Sequence, residues 1–464
     1  MSASIVQWLD RVPDLLTLSA FNPEAFPFLL ESAARGPLGR HSILFFAEGP
    51  ALVAHRGLGV VGPGAGESFF DRLDHWFRRE EIPAAEAPSG LPFSGGWFVY
   101  LGYEMAAEIE PVLDLPAAPE GLPDAMAQRC PGAVIVAHGS GSGEPDRAAV
   151  VAETPAVLEQ LLGRLAAVRE DVASRGQDPV PDLECIVEED PGQFKAAVLR
   201  IHDYLRAGDT FQVNVSRAWR GRFEAAPDIY RLYDSLRRAN PAPFAALMRW
   251  EDRCLMSSSP ERLVQIRGRR VETRPIAGTR PRGRDSAHDR ALSDELIGNL
   301  KERAEHVMLI DLERNDLGRV CRPGTVEVNE LMVVETYAHV HHIVSNVRGE
   351  LMPQASPVDA VKAVFPGGTI TGCPKVRCME IIAELEGEGR GFYTGSMGYL
   401  GRDGSLDLNI LIRSMLVHGR DFVFRTGAGI VADSDPEQEV LETADKARGM
   451  LVALKSYGGE NGNA

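Results

Sequence analysis

The chain is short of positive charge. Its 464 residues hold 49 Lys and Arg against 66 Asp and Glu, a formal net charge of −17. That balance argues against nucleic acid or an anionic membrane as the main partner, because either demands a basic face. An anionic ligand is still allowed, but only in a local basic or metal-lined pocket. Cysteine is sparse too: six, at positions 130, 185, 254, 321, 373 and 378, with no CxxC pair. In a chain of this size they read as reduced thiols, not as a disulfide framework. No uninterrupted apolar run reaches the ~18 residues that a membrane span needs. The first residues, MSASIVQWLDRVPDLL, lack the basic start and long apolar core of a secretion signal. A soluble, cytoplasmic protein is expected. Internal repeats and low-complexity tracts are missing. So are a GxxxxGK[ST] loop, a Ser/His/Asp arrangement and a metal-type His/Cys cluster, which turns the reading away from NTPases, triad hydrolases and zinc enzymes.

What is present is a 44% hydrophobic composition, enough for a large core, and many short apolar runs bounded by Gly and Pro. These favour strands with interspersed helices, hence α+β or mixed α/β without the strict alternation of a barrel. Residues 1–170 form one expected region and 171–193, polar and Pro-containing, a linker. Residues 194–457 form a second region and 458–464 a disordered tail. The spacing predicts helices over 152–170, from Phe194 to a stop at Gly208, over 227–238, and from Pro436 behind the N-cap candidates Ser434 and Asp435. Another helix is expected through KERAEHVMLIDLERND, starting near Ser293. The run DTFQVNVSRAWRGRF, FAALMRW and CLMSSS read as strands.

Two of these helices carry paired acids. Glu302 and Glu305 are three residues apart, and Glu439, Glu442 and Lys446 share one face of the last helix. Paired carboxylates suit hard-oxygen coordination of Mg²⁺; solvated helix faces are the bland alternative. Residues 427–432 formally match G-x-G-x-x-A. Asp433-Ser-Asp-Pro436 follows at once, however, and puts acid where a pyrophosphate would sit, so a nicotinamide site is rejected. The expected glycine loop could still hold a carboxylate through its N–H groups. Residues 365–375 read as a Gly/Thr loop entering a helix, a plausible anion site. Residues 274–283 read as a basic loop punctuated by Gly and Pro. One of His341 and His342 is expected to point into the core.

Taken in order, FQVNVSRAW (211–219), SSSPE (257–261), RPIAGTRPRG (274–283), KERAEHVMLIDLERNDLGRV (301–320), VHHIVS (340–345), FPGGTITGCPKVRCMEII (365–382), GFYTGSMGY (391–399), RTGAGIVADS (425–434) and ETADK (442–446) resemble the chorismate-utilising enzymes. That family includes component I of anthranilate synthase and of aminodeoxychorismate synthase, and the isochorismate and salicylate synthases. The resemblance spans nearly the whole chain, weaker before residue 90. It implies two packed, mostly antiparallel sheets with outer helices, and Mg²⁺-dependent chemistry on chorismate. It also implies Glu305 and Glu442 as metal ligands, supported through water by Glu302 and Glu439. Tyr393, Arg413, Gly427, Ala428, Gly429 and Lys446 match positions that hold substrate carboxylates. Glu261 matches the general acid near the departing hydroxyl, and His342 and Thr369 match positions lining the ring.

Branch residues refine this expectation. Water-adding members carry Lys at position 212; this chain has Gln212, as in members that use ammonia. Asn214, Pro243-Phe-Ala-Ala246, Gly367-Gly368 and Gly102-Tyr-Glu104 are similar to aminodeoxychorismate synthases. Ala277, in the PIAGT run with Thr279, is the anthranilate-type residue, where some aminodeoxychorismate synthases have a Lys able to form a ring adduct. The chain has no G-x-C-x-G loop for glutamine hydrolysis, so ammonia is expected from a separate glutamine amidotransferase subunit, in a heterodimer. Leu29-Leu-Glu-Ser32 resembles the family's tryptophan-binding element.

Overall fold

The computed structural model describes residues 4–34, 36, 38–83, 90–139, 144–168, 180–336 and 340–458. Two large sheets form its centre, with neighbouring strands antiparallel throughout the described residues. The first runs, edge to edge, through Ile5–Leu9, Arg147–Ala152, Gly132–Ala137, His41–Phe46, Phe28–Glu31, Phe244–Trp250, Arg253–Ser259, Ser414–His418, Asp421–Ile430, Gln212–Phe223 and Leu183–Glu188. The second runs through Ile276–Pro281, Val340–Glu350, Arg270–Thr273, Arg262–Arg267, Leu406–Asn409, Ser396–Gly401, Gly96–Leu101, Ala125–Cys130, Ala51–His55 and Gly59–Val61.

The sheets face each other across an aromatic layer. Phe28 and Phe45 from the first meet Phe98 and Tyr399 from the second, with Phe28 stacked on Phe98 at 4.1 Å between ring centroids. Helices Ile229–Ala239, Pro155–Ala167 and Pro436–Tyr457 cover the outer face of the first sheet through Leu232, Leu236, Leu161, Met450 and Leu454. Helices Phe69–Glu80 and Pro357–Val364 cover the second through Trp76, Phe77 and Val361. The strand Gly96–Leu101 is buried at every residue. It is therefore apolar throughout instead of alternating, as a strand covered on both faces must be.

Both sheets take strands from both halves of the chain, so the expected N-terminal and C-terminal regions are not separate bodies: Phe28–Glu31 pairs directly with Phe244–Trp250. The expected linker is in part regular structure. Leu183–Glu188 is an edge strand on Gln212–Phe223, and the following helix already starts at Pro191; residues 169–179 lie outside the described residues, as do 459–464. That helix ends as expected, with Gly208 left-handed at φ 81°. The last helix opens behind Asp435, whose carboxylate accepts from the Glu437 and Gln438 N–H groups. The start expected near Ser293 is wrong: a helix begins at Ser286 behind Asp285 and ends at Gly298, and a second begins at Leu300. Asn299 interrupts the pattern with extended backbone, φ −71° and ψ 107°. All six cysteines are free thiols. No described helix is long and apolar enough to cross a membrane.

Candidate active site

Of the three segments expected as loops, 365–375 holds a short turn at Gly368–Ile370 before the helix that starts at Lys375, and the other two are strands. Gly427, Ala428 and Gly429 lie inside Asp421–Ile430, paired with Ser216, Val215 and Asn214. Ile276–Pro281 pairs with Val340–Glu350, setting Ala277 opposite Ile343 and Thr279 opposite His342; the side chains of 277 and 279 lie outside the described residues. The glycines are there for room. A Cβ on Gly427 would sit 2.8 Å from the Tyr393 hydroxyl and 3.0 Å from Asn214 Oδ1, and one on Gly429 would sit 2.4 Å from Gln212 Nε2. The Gly427 carbonyl accepts from Lys446 Nζ at 2.9 Å. Strand geometry thus gathers Gln212, Asn214, Tyr393 and Lys446 around a bare stretch of backbone.

Glu261 follows Ser259 and Pro260 at the end of Arg253–Ser259, where Ser259 Oγ accepts its N–H and its carbonyl accepts from Ile410 N. Its side chain is buried, and burial pushes its pKa up to about 7, against the opposing pull of the nearby Thr369 hydroxyl, Arg413 and Lys446. Glu261 Oε1 and Thr369 Oγ1 are both buried without a well-formed hydrogen bond. An acid poised there can deliver a proton at neutral pH. Burial also drives His342 down to about 4, with Arg413 adding to the effect, so its imidazole is neutral. Desolvation lowers the pKa of Arg413 and Glu261 raises it. Arg413 and Thr394 both have left-handed backbone, φ 50° and 60°, which costs of order 1–2 kcal/mol at a non-glycine residue. Hydrogen bonds from Ser258 N to Arg413 O (3.0 Å) and from Thr394 N to Leu411 O (2.8 Å) hold them there.

The acidic pairs sit on separate helices, Leu300–Gly318 and Pro436–Tyr457. Glu302 reaches Arg280 at 2.8 Å, and its buried Oε2, without a partner, lies where a Cβ on Gly278 would be. Glu442 pairs with Lys446 at 2.7 Å and is about half exposed; Glu305 and Glu439 are half-buried. Among the described residues, no group of three or more His, Cys, Asp or Glu side chains is gathered as a metal cage. The donors are nevertheless hard oxygens, one of them unsatisfied. That chemistry fits a magnesium ion, which takes one or two carboxylates and fills its shell from water and a bound anion.

His341 and His342 are both buried, not one of the two. His341 bonds Asp289 and Thr336, each at 2.9 Å, and so ties the Ser286–Gly298 helix to the second sheet. The sequence shows no Ser/His/Asp arrangement, yet the fold makes one: Ser42 Oγ, His138 and Asp146 are linked at 2.8 and 2.9 Å. The buried Ser42 Oγ accepts the Ser32 N–H, so the chain of bonds holds backbone. Spacings of 96 and 8 residues carry no local signal for it. Ser32 in turn lines, with Leu30, Glu31, Arg40, His41 and Arg274, a cavity of about 370 Å³ that shares no residue with the Glu261 cluster. Leu29 faces the core instead.

Known proteins resemble this chain over most of its length. A family model described as chorismate binding enzyme matches residues 64–452. An anthranilate synthase component I-like protein of Synechocystis is 45% identical over 79% of this chain and 74% of its own. Aminodeoxychorismate synthase component 1 of Bacillus subtilis is 52% identical over 56% of this chain and 55% of its own. The crystal structure of anthranilate synthase component I from Streptococcus pneumoniae superposes with a TM-score of 0.77 at 31% identity, covering 90% of this chain and 93% of that one.

The Glu261 carboxyl has a consequence for stability. Its folded pKa, about 7, lies above the ordinary value of 4.5, so between those values the folded state binds more protons than the unfolded state and loses stability as pH rises. Denaturant unfolding of the wild type and of Glu261→Gln at pH 5 and pH 8 should show the difference between them shifting by roughly 2–3 kcal/mol in favour of the glutamine variant at pH 8. A pH-independent difference would mean that this carboxyl titrates normally.

Proposed function

The chain belongs to the chorismate-binding enzyme family, and from that premise we propose that it is the chorismate-aminating component of an aminodeoxychorismate synthase. The reaction is chorismate plus ammonia to 4-amino-4-deoxychorismate and water. The observation that carries the amination reading is at position 212. A neutral amide, buried at the Gly429 strand, offers no base to activate water, and ammonia needs none. Arg413, Tyr393 and Lys446 then hold the substrate carboxylates against the bare Gly427–Gly429 backbone. Glu261 protonates the departing C4 hydroxyl, and neutral His342 and Thr369 line the ring. Glu305 and Glu442 would hold Mg²⁺, with Glu302 and Glu439 supporting them through water. When bound, the ion would neutralise the ring carboxylate and act as a Lewis acid.

Several residues favour the para product. Gly102-Tyr-Glu104 is built into the site, since the Glu104 carboxylate accepts the N–H groups of Arg390 (2.7 Å) and Gly391 (3.1 Å) behind Tyr393. Gly367-Gly368 is closely packed: a Cβ on Gly367 would meet Ile410 Cδ1 at 2.8 Å, and one on Gly368 would meet Leu312 Cδ2 at 2.4 Å, both the far ends of flexible side chains. Anthranilate synthase component I is the second reading, favoured by Ala277 and by the Synechocystis relative's coverage. With Ala277 that position supplies no amine for a covalent ring adduct. Ammonia comes from a partner glutamine amidotransferase, and the Leu30–Ser32 cavity takes tryptophan.

Purified protein given chorismate, Mg²⁺ and ammonium should yield a product that becomes 4-aminobenzoate only when an aminodeoxychorismate lyase is added. Fluorescent anthranilate without the lyase would establish the second reading. In the same assay Glu305→Gln and Glu442→Gln should each abolish Mg²⁺-dependent turnover without unfolding; full turnover by either would refute the metal assignment. Calorimetric titration with tryptophan should release heat in the wild type, and none at all would empty the cavity of that role.

A further inference from the structure

A strand turns alternate side chains to opposite faces. Gln212–Phe223 turns Val213, Val215, Arg217 and Trp219 toward the outer helices, all of them buried. An arginine in that apolar row is costly unless its donors are met. The Arg217 guanidinium lies over Trp219, 4.6 Å from the ring centroid, and its Nη1 donates to the Glu188 carboxylate. Its other two nitrogens reach the helix Pro436–Tyr457. Nε donates to the Thr443 hydroxyl at 2.8 Å and Nη2 to the Val440 carbonyl at 3.3 Å. Thr443 is fully buried; its hydroxyl donates to the Val440 carbonyl at 2.7 Å, and its carbonyl accepts from the Thr426 hydroxyl at 2.8 Å. One charged side chain on a wall of the site thus grips the N-terminal half of the helix that carries Glu439 and Glu442.

The grip has a direction. Val440 and Thr443 each follow one of the two acids, so fixing them fixes the angle at which Glu439 and Glu442 leave the helix. With side chains a helix is about 10–12 Å across, so a turn of ~20° about its axis moves a carboxylate by roughly 2 Å. That is a whole Mg–O bond length, and magnesium demands near-ideal geometry. Farther along, Met450 and Leu454 hold the same helix by apolar packing, which lacks the directionality of a hydrogen bond. We propose that Arg217 is the positioning residue for this acidic pair, setting the rotation of Pro436–Tyr457 so that Glu439 and Glu442 are presented to the metal. This rests on the metal assignment above and names the group that aims its carboxylates. Arg217 acts through the helix: its bonds go to Val440 and Thr443, and its charge is met by Glu188 on the edge strand Leu183–Glu188.

Arg217→Met keeps a long side chain in the apolar row, and exchanging a buried charge for an apolar group is often neutral for stability. Mn²⁺ serves as the probe for the Mg²⁺ site. Its binding to the full chain, with chorismate present and no nitrogen source, is read from the EPR signal of the free ion and needs no turnover. Arg217→Met should raise the Mn²⁺ Kd about tenfold, the lower end of what losing an outer-shell partner costs a metal site. Hydrogen exchange should rise at amides 440–446 and stay unchanged at Gly96–Leu101. Glu188→Gln removes the paired charge and leaves the bonds to Val440 and Thr443, so its Kd should stay within about twofold of wild type. Thr443→Val, which deletes the hydroxyl that Nε bonds, should weaken Mn²⁺ binding in the same direction and carries the comparison if Arg217→Met does not fold. Wild-type affinity in Arg217→Met, or an equal loss in Glu188→Gln, overturns the inference alone. Mn²⁺ binding that Glu442→Gln leaves intact overturns the metal assignment and this inference with it.

Discussion

The Arg390 guanidinium is completely buried, and every one of its five N–H donors is used. Nη2 donates to the Asn214 carbonyl at 2.8 Å and Nη1 to the Ile370 carbonyl at 3.0 Å and the Thr394 hydroxyl at 3.3 Å. Nε and Nη2 form a fork on Glu386 at 3.0 and 2.7 Å. The same Glu386 accepts the N–H and hydroxyl of Ser216, both at 2.9 Å, and meets Arg425 at 3.3 Å. Burial alone would raise the pKa of Glu386, but the two guanidiniums prevail and hold it below the ordinary range. One ion cluster therefore sets the relative positions of the strands bearing Gln212 and Gly427, the turn bearing Thr369 and the turn bearing Tyr393. A buried pair of this kind contributes little net stability relative to an apolar replacement, and what it supplies is geometry. Only Arg, with a planar fork of donors, can reach all of these acceptors at once.

That cluster is saturated while the residues in front of it are not. Gln212 Oε1, Asn214 Oδ1, Glu261 Oε1 and Thr369 Oγ1 are buried and unpartnered, and two non-glycine residues beside them keep left-handed backbone. Leaving such groups unsatisfied costs about 1–3 kcal/mol each, and the rigid support behind them lets the site carry that cost until a ligand completes the bonds. The same environment separates the titrations: Glu261 is raised to about 7 and His342 lowered to about 4. An acid and a neutral imidazole then coexist at neutral pH.

Much of this is legible in the sequence where the signal is local. Pro436 behind Asp435, and Gly208 after the Phe194 helix, are starts and stops whose chemistry is contained within a few residues. Gln212, Glu261, Tyr393, Arg413, Gly427 and Lys446 each stand in a motif that marks them, and the strands bring Gln212, Tyr393, Gly427 and Lys446 together. Where the sequence misleads, tertiary context is the cause. Gly427-Ala-Gly429 and Ile276–Pro281 look like loops by composition. They are strands because a neighbouring strand pairs with them, and at 427 and 429 the missing Cβ atoms make room for Tyr393, Asn214 and Gln212. The 183–188 run, short and apolar inside a polar, Pro-containing stretch, is an edge strand because Gln212–Phe223 pairs with one of its sides. The Ser42–His138–Asp146 chain and the Arg390 cluster join residues distant in sequence, so no local pattern announces them.

Arg390 holds the walls of the site in register, and backbone hydrogen exchange of an Arg390→Lys variant tests that claim most directly. Lysine keeps the charge but not the fork. The amides of 212–216, 370–371 and 393–395 should gain exchange together while Gly96–Leu101 and Phe244–Trp250 keep their protection. A rise spread evenly over both sheets, or no rise at those three segments, would contradict it.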